Sequence, residues 1–242
     1  MPTEKDRVYS RPLTSIEDFE FDAIVADVFE DMIERSVPGY GLMLELIGSL
    51  AESFAIAGSN VYDLGCSLGA STLQLRRHVP ASCHVIGVDN SSAMLERCEA
   101  NMTRDNSSVS YELRLEDIRA TLLENASMVV LNFTLQFIPD KERLQILKRI
   151  ASGLLPGGAL LLAEKVRFEN TFEQKLMTDL HHDFKRYQGY SDLEIAQKRA
   201  SLENVLVPNT GSEHIKRLAA AGFSSQQQCV RCLNFEAFLA IR

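Results

Sequence analysis

A regular alternation of short apolar segments with helical patterns, which begins at residue 60, constrains the fold more than any other feature of this sequence. Strands are predicted at 60–64, 84–88, 109–115, 127–133 and 159–163, with helices at 71–78, 93–103 and 141–154. Strands that are joined through helices run parallel, so the pattern predicts a mostly parallel sheet with helices on both faces. A helix at 212–221, closed by Gly222, precedes two further strands that meet near Asn234. We expect these two as an antiparallel pair at one edge, which makes seven strands.

Two helical segments accompany this alternation. Residues 1–57 form an N-terminal segment with helices at 21–35 and 41–57, separated by the breaker SVPG at 36–39. Residues 168–207 interrupt the alternation with long polar helical patterns, and we interpret them as an insertion or lid before the last two strands. A length of 242 residues suits a single α/β domain, 1–242, that carries this insertion.

Charge and hydropathy narrow the classes of ligand. The chain has 25 Lys and Arg against 33 Asp and Glu, a net charge of -8. Nucleic-acid binding depends on Lys and Arg contacts to phosphate, so we expect no direct nucleic-acid partner and favour a small-molecule substrate. No apolar run approaches the roughly 20 residues that span a bilayer, and the polar N-terminus does not resemble a secretory signal. We therefore expect a cytoplasmic protein without a membrane partner.

The glycine-rich turn in VYDLGCSLGAST, residues 61–72, fits three kinds of site. Residues 65–69 match the G-x-S-x-G nucleophile elbow of hydrolases, which also needs a later histidine; only His214 comes late, within a helical pattern. A dinucleotide turn needs a second glycine where Ser67 stands, and Asp63 would repel a pyrophosphate. The ammonium and sulfonium of S-adenosylmethionine (SAM) suit the Asp63 carboxylate instead.

Polar residues at the ends of the next strands agree with SAM. Ligands of an open parallel sheet bind beyond the carboxyl ends of its strands. Asp89 ends the second strand, where a carboxylate accepts hydrogen bonds from ribose hydroxyls. Asp117 follows the third strand, where an adenine edge would lie, and Asn132 ends the fourth. A single acid at such a position is often only a helix cap, but the set resembles the class I SAM-dependent methyltransferase fold, which is Rossmann-like.

A more specific resemblance runs over nearly the whole chain. It is carried by RSVPGY (35–40), VYDLGCSLGAST (61–72), DNSSAMLERC (89–98), ENASMVVLNFTLQF (124–137), LPGGALLLAEK (155–165), HHDFKRYQGYSDLEIAQKR (181–199) and LENV (202–205). These segments resemble the carboxy-S-adenosyl-L-methionine synthase family. The resemblance implies that SAM and prephenate are converted to carboxy-SAM, phenylpyruvate and water through a sulfonium ylide. It further implies a homodimer that serves the wobble-uridine modification of tRNA, with a second enzyme acting on the tRNA.

The resemblance also assigns ligand contacts. Gly65, Cys66 and Ser67 surround the methionine portion of the cofactor. Asp89 and Asn90 contact its ribose, and Asp117 and Ile118 contact its adenine. Tyr40, Asn132 and Arg199 are the remaining cofactor contacts. Arg199 receives the catalytic role, because a guanidinium recognises the new carboxylate with two parallel hydrogen bonds. Without the family, Arg199 would be a solvated helix charge and Tyr40 a packing residue. No catalytic base and no prephenate contact is identified.

Several alternatives stay open at this point. The same fold supports a methyltransferase that acts on a small molecule, or a SAM-binding module without catalysis. No metal is expected at His181 and His182, since adjacent helical residues do not face each other. Cys229 and Cys232 fall on a predicted strand with side chains on opposite faces, which disfavours a redox role. The helical spacing of Phe168, Phe172, Leu176 and Leu180 suits a dimer contact, or packing against the chain's own sheet.

Overall fold

The structure is a computed structural model that describes residues 4–242. Its strands are β1 Asn60–Leu64, β2 His84–Asp89, β3 Ser110–Leu115, β4 Ala126–Asn132, β5 Leu154–Lys165, β6 Ser225–Cys232 and β7 Phe235–Ile241. Its α-helices are α1 Ala23–Ser36, α2 Tyr40–Phe54, α3 Ala70–His78, α4 Ser92–Arg104, α5 Asp140–Gly153, α6 Thr171–Tyr187, α7 Asp192–Leu202 and α8 Gly211–Ala221. Each strand and helix predicted from the sequence corresponds to one of these elements.

The sheet has the strand order β3-β2-β1-β4-β5-β7-β6. β7 runs antiparallel to β5 and to β6, and the other neighbours are parallel. The predicted seven-stranded, mostly parallel sheet is confirmed, with α6 and α7 inserted before the last two strands. Strand order reverses between β1 and β4, which is where an open sheet of this kind binds its ligands.

β5 is longer than the predicted strand at 159–163. The breaker Pro156-Gly157-Gly158 does end α5, at Gly153, but the chain enters the sheet at once from Leu154. The register with β4 shifts between Ala126 and Met128, which pair with Leu154 and Ala159, so the breaker bulges out of the strand. The strand also continues to Lys165, beyond its apolar segment.

Helices cover both faces of the sheet and define two buried cores. On one face α5 and α8 pack through Ile146, Leu147 and Leu218. On the other face α2 and α3 pack through Ile47 and Leu75. Strand residues alternate between the two cores, so the face to which a polar residue at a strand end projects follows from its position in the register.

The insertion is bound to the N-terminal segment. The hydroxyl of Tyr9 donates to Ser201 Oγ at 2.9 Å, and Gln197 Nε2 donates to the carbonyl of Tyr9 at 2.9 Å. Gln197 Oε1 accepts the backbone N–H of Leu13 at 2.8 Å. All three contacts are on α7, which the first residues of the chain therefore hold in place.

One side of α6 remains open to solvent. Phe172 is 73% exposed, and Leu176 and Leu180 are 39% exposed, so they do not pack against the chain's own sheet. Phe168 is half-buried with the guanidinium carbon of Arg231 4.7 Å from the centre of its ring. No helix within residues 4–242 is both long and apolar enough to cross a membrane.

Candidate active site

Four polar side chains end adjacent strands on the same face of the sheet. Asp63 pairs with Gly87 of β2 and with Val130 of β4, and Asp89 and Asn132 stand two residues further along those strands. Asn132 pairs with Ala163, two residues before Lys165 of β5. Because side chains two residues apart share a face, the four project toward the α2 and α3 side. Along the carboxyl edge they follow in the order acid, acid, amide and cation.

The turn after β1 is held in a tight conformation beside this row. Gly65 has φ +83°, and a Cβ at this position would overlap the side chain of Thr134. The backbone N–H groups of Gly65 and Cys66 both donate to the carbonyl of Val88, at 2.8 and 2.9 Å. Ser67 also has a positive φ of 49°, an uncommon value for a residue with a side chain. The turn thus needs a glycine at position 65, where the Thr134 side chain packs directly against the backbone.

Asp89 anchors the turn to the end of β2. One carboxylate oxygen accepts the N–H of Ser67 at 2.9 Å, and the other accepts the N–H of Ser91 at 2.9 Å. Burial raises the pKa of Asp89, although these backbone donors act in the opposite direction. Each oxygen keeps a free acceptor position for a ligand hydroxyl. Asn90, the next residue, is exposed.

Cys66 contributes only its backbone to the turn surface. Its side chain is 4% exposed and packs with Leu95, Cys98 and Met102 beneath α4. A hydrogen bond with Cys98, followed by burial, raises the pKa of the thiol. A thiol in this environment is a poor nucleophile.

Asp117 and Ile118 lie on the loop after β3 and have different surroundings. The backbone N–H of Glu116 donates to the carbonyl of Asp89 at 3.1 Å, which draws this loop to the end of β2. Asp117 accepts hydrogen bonds from the Arg119 guanidinium, at 2.6 Å to Oδ2, and they hold its pKa below the ordinary value. Ile118 is 7% exposed and belongs to the core on the α5 side.

Asp63 and Asn132 form a polar group beneath the first turn of α3. Asp63 is completely buried, and its Oδ2 accepts the hydroxyl of Thr72 at 2.6 Å. Burial raises its pKa to about 7. Asn132 donates to Ser71 Oγ at 3.1 Å. Oδ1 of Asp63 and Oδ1 of Asn132 are both buried and have no donor among the described residues.

This arrangement changes the expected role of Asp63. Because no solvent reaches the carboxylate, it is placed to influence a bound cation through its electric field and not by direct contact. Asn132 is partly exposed, although its unpaired Oδ1 is buried, so this residue lies at the border between the buried polar group and the ligand side. The residues present therefore fit SAM, which carries N–H donors and a positive sulfonium.

Aromatic residues line the same face next to Asn132. Tyr40 opens α2 and lies with its ring centre 6.5 Å from that of Phe133, which meets Phe235 edge-on at 5.7 Å. Burial, together with the nearby Asp63, raises the pKa of Tyr40, which keeps the phenol neutral. Phe133 directly follows β4 and has φ +61°, a strained value for an aromatic residue.

Arg199 lies apart from the turn, in the last turn of α7. Its side chain is exposed and lines a cleft of about 410 Å³ between α6 and α7, together with His182, Arg186 and Glu203. It makes no hydrogen bond or ion pair with any residue of the described chain, 4–242. It lies close enough to Lys165 to help lower the pKa of that lysine, after burial.

The residues of the hydrolase and metal motifs considered in the sequence make structural contacts instead. Ser67 Oγ donates to Met94 Sδ at 3.3 Å, and His214 is buried on α8 against Phe238, so the two do not form a hydrolase pair. His181 Nε2 is 2.8 Å from the carbonyl of Ser36. No group of three or more potential metal ligands occurs within the described part of the chain.

Comparison with known proteins identifies the family. A family profile described as "Methyltransferase domain" matches residues 61–158. The carboxy-S-adenosyl-L-methionine synthase of Hahella chejuensis is 54% identical over 248 residues, with 100% of both chains covered. That of Marinobacter nauticus is 53% identical over 93% of this chain and 91% of its own.

The chain belongs to the carboxy-S-adenosyl-L-methionine synthase family. The fold agrees: human N-acetylserotonin methyltransferase, solved with SAM, superimposes with a TM-score of 0.61 at 16% identity, over 91% of this chain and 55% of that one. The class I SAM-dependent methyltransferase fold predicted from the sequence is thereby confirmed.

Sequence reasoning missed one group of buried cations near the candidate site. Lys165, Lys185 and Lys198 converge beyond β5, where the sequence showed only a strand end and polar helices. The signal was present in the spacing of His181 and Lys185, which are four residues apart and therefore share one face of α6. Both are buried in a helix that was expected to be polar.

Proposed function

We propose that this protein synthesises carboxy-SAM from SAM, with prephenate as the carboxyl donor, and releases phenylpyruvate and water. The observation that carries the proposal is the 54% identity, over the entire chain, to a relative named carboxy-S-adenosyl-L-methionine synthase. The charge distribution supports it. A methyl donor alone calls for no cations, whereas Lys165, Lys185 and Lys198 provide them beside the cofactor side of the sheet.

The turn and the strand ends bind SAM in this proposal. The backbone of Gly65, Cys66 and Ser67 surrounds the methionine portion, with Asn132 as an acceptor for its donors. Asp89 and Asn90 bind the ribose, and Asp117 and Ile118 flank the adenine, Asp117 by hydrogen bonding and Ile118 by its backbone, since its side chain is buried on the α5 side. Tyr40 closes the pocket from α2.

The reaction balances without a metal or redox partner. Prephenate loses carbon dioxide and hydroxide as its ring becomes aromatic, the SAM methyl group loses one proton, and the new bond joins that carbon to the carbon dioxide. The departing hydroxide takes the proton and leaves as water. Arg199 binds the new carboxylate, which is the one group that the product has and SAM lacks. The proposed role of the protein is to hold both substrates and exclude water.

The proposal includes three features of cellular context. The exposed apolar residues of α6 support a homodimer. The net charge of -8 supports a pathway in which another enzyme contacts the tRNA. A cytoplasmic location follows from that role in wobble-uridine modification.

Two measurements test the activity. Denaturing mass spectrometry of protein purified without added ligand should release a cofactor heavier than SAM by one carbon dioxide. Incubation with SAM and prephenate should yield phenylpyruvate and carboxy-SAM in equal amounts. Release of SAM or S-adenosylhomocysteine, without turnover of prephenate, would instead indicate a methyltransferase or a SAM-binding module.

A further inference from the structure

Three lysines on different elements point into one region between the sheet and the insertion. Lys165 ends β5, Lys185 is on α6 and Lys198 is on α7. Lys185 is 8% exposed and Lys198 is 7% exposed, whereas lysine is usually found at the surface. Their ammonium groups affect one another, because each of the other two lowers the pKa of Lys185 after burial has done so.

The surrounding charges do not neutralise this lysine cluster, Lys165, Lys185 and Lys198. With Arg35 and Arg199, five cations face two carboxylates, Asp6 and Asp31, a formal excess of 5 − 2 = 3 positive charges. Both carboxylates are already engaged. Asp6 Oδ2 accepts the Tyr190 hydroxyl at 2.5 Å, and Asp31 pairs with Arg35 at 2.7 Å. Among residues 4–242, the ammonium groups of Lys165 and Lys185 have no hydrogen-bond or ion-pair partner.

Lys198 connects the cluster to the cofactor side. Its ammonium group donates to Ser36 Oγ at 3.1 Å, and Ser36 lies four residues before Tyr40. Lys165 pairs in register with Phe235, and the ring of His181 lies edge-on against Phe235 at 5.1 Å. The lysine cluster thus borders the aromatic side chains of Tyr40, Phe133 and Phe235, which lie at the end of the α2 and α3 core.

Burial of unpaired ammonium groups opposes folding. Burial lowers the pKa of Lys185 to about 7 and that of Lys198 to about 8. Unfavourable charge arrangements of this kind concentrate at binding and catalytic sites, where a ligand of opposite charge compensates them. An excess of three positive charges suits a ligand with more than one carboxylate, and neighbouring aromatic side chains suit a ligand with a flat ring.

We infer that Lys165, Lys185 and Lys198 bind the carboxylates of the carboxyl donor, while Tyr40, Phe133 and Phe235 contact its ring. The inference rests on the proposed function, since it assigns the second substrate of that reaction to a place on this chain. It separates two tasks: the lysine cluster positions the donor, and Arg199 binds the carboxylate of the product.

Replacement of single lysines by methionine tests the site. Lys165→Met and Lys185→Met keep the apolar stem of the side chain and remove its charge. Lys216→Met, at an exposed position of α8, is the matched control. For each protein, calorimetry measures prephenate binding to the SAM-loaded form, kinetics give the KM for prephenate, and thermal unfolding gives the midpoint without ligand.

The Kd and KM for prephenate should rise about tenfold or more in both cluster variants, with SAM affinity within twofold of the wild type. The thermal midpoint should be unchanged or higher, because an uncompensated buried charge is gone. The control should match the wild type in every measurement.

The outcomes separate the site from the activity. Wild-type turnover, with a KM that stays within twofold in both variants, overturns the site and leaves the proposed function intact. Prephenate binding that is lost in the variants, without turnover by the wild type, supports the site and contradicts the proposed function. A lower thermal midpoint and weaker SAM binding in both variants would mean that the lysines are structural, which also overturns the site.

Discussion

Beyond β1 and β2 the carboxyl edge of the sheet presents Asp63 and Asp89, whereas beyond β5 it presents Lys165, with Lys185 and Lys198 of the insertion beside it. The acids belong to the part of the fold that the chain shares with methyltransferases, and α6 and α7 supply two of the cations. Asn132 of β4 lies between the two groups. The comparison shows that the insertion adds two cations to the one that β5 supplies, and under the proposed function the acidic and cationic groups bind different substrates.

The largest expected effect concerns Asp63 on the acidic side. Burial raises its pKa from 3.8 to about 7, so the folded protein binds a proton that the unfolded chain releases between these values. Stability therefore falls as the pH rises through this window, and the loss is complete above pH 7. Asp63→Asn should stabilise the ligand-free protein by about 2–4 kcal/mol at pH 8 and by little at pH 4.

Urea unfolding of both proteins at pH 4, 6 and 8 gives the comparison. If the difference in free energy of unfolding between variant and wild type did not grow with pH, ionisation of Asp63 would not destabilise the folded protein, and the prediction would be wrong. SAM binding should weaken in the variant, because the field on the sulfonium is lost.

Asp89→Ala should weaken SAM binding by about a hundredfold, or about 3 kcal/mol, because charged hydrogen bonds to the ribose and the anchor of Ser67 are both lost. Calorimetry with SAM and with carboxy-SAM should show equal losses, since the two ligands share their nucleoside. Asp89→Asn keeps one acceptor and serves as the milder control. A loss confined to one ligand would contradict the placement of Asp89 at the ribose.

On the cationic side, Arg199→Ala should weaken carboxy-SAM binding by about 10- to 50-fold and change SAM binding by less than twofold. Arg186→Ala is the matched control, because Arg186 lines the same cleft but pairs with Asp183 and Asp192. If SAM and carboxy-SAM weaken alike, Arg199 does not recognise the added carboxylate.

The smallest effect is expected at Cys66. Since its side chain packs against Cys98 beneath α4, Cys66→Ala should cost about 1 kcal/mol of stability and change the Kd for SAM by less than twofold. Urea unfolding and calorimetry measure the two quantities. A large loss of SAM affinity, with stability unchanged, would mean that the thiol contacts the ligand.

The sequence predicts the two sides of this comparison unequally. Asp89, Asp117 and Asn132 follow strands whose apolar patterns are plain, so their position at one edge comes directly from the strand–helix alternation. The lysine cluster depends on how α6 and α7 pack on β5, and a polar helix does not reveal which of its faces is buried. The burial of Asp63 and of the Cys66 thiol could not be predicted either, because the sequence pattern locates the end of a strand but does not show which helix packs over it.

At Gly65 the local backbone conformation and one neighbouring side chain decide which residue type can occupy the position. Its positive φ and the Thr134 side chain that occupies its open side explain why a glycine stands there. Ser67 and Phe133 also have positive φ angles although they are not glycines, and no sequence pattern predicted either conformation.

The hydrogen bond between Tyr9 and Ser201 joins residues 192 positions apart in the chain. Closure of so long a loop is slow, and during synthesis the N-terminal segment must wait until almost the entire chain has emerged. We therefore expect the first residues of the N-terminal segment and α7 to join the sheet late in folding, after the parallel strands have paired. A tag fused before Met1 would be attached to the segment that folds last and could slow its docking. The C-terminus, after β7, is therefore the better place for a tag.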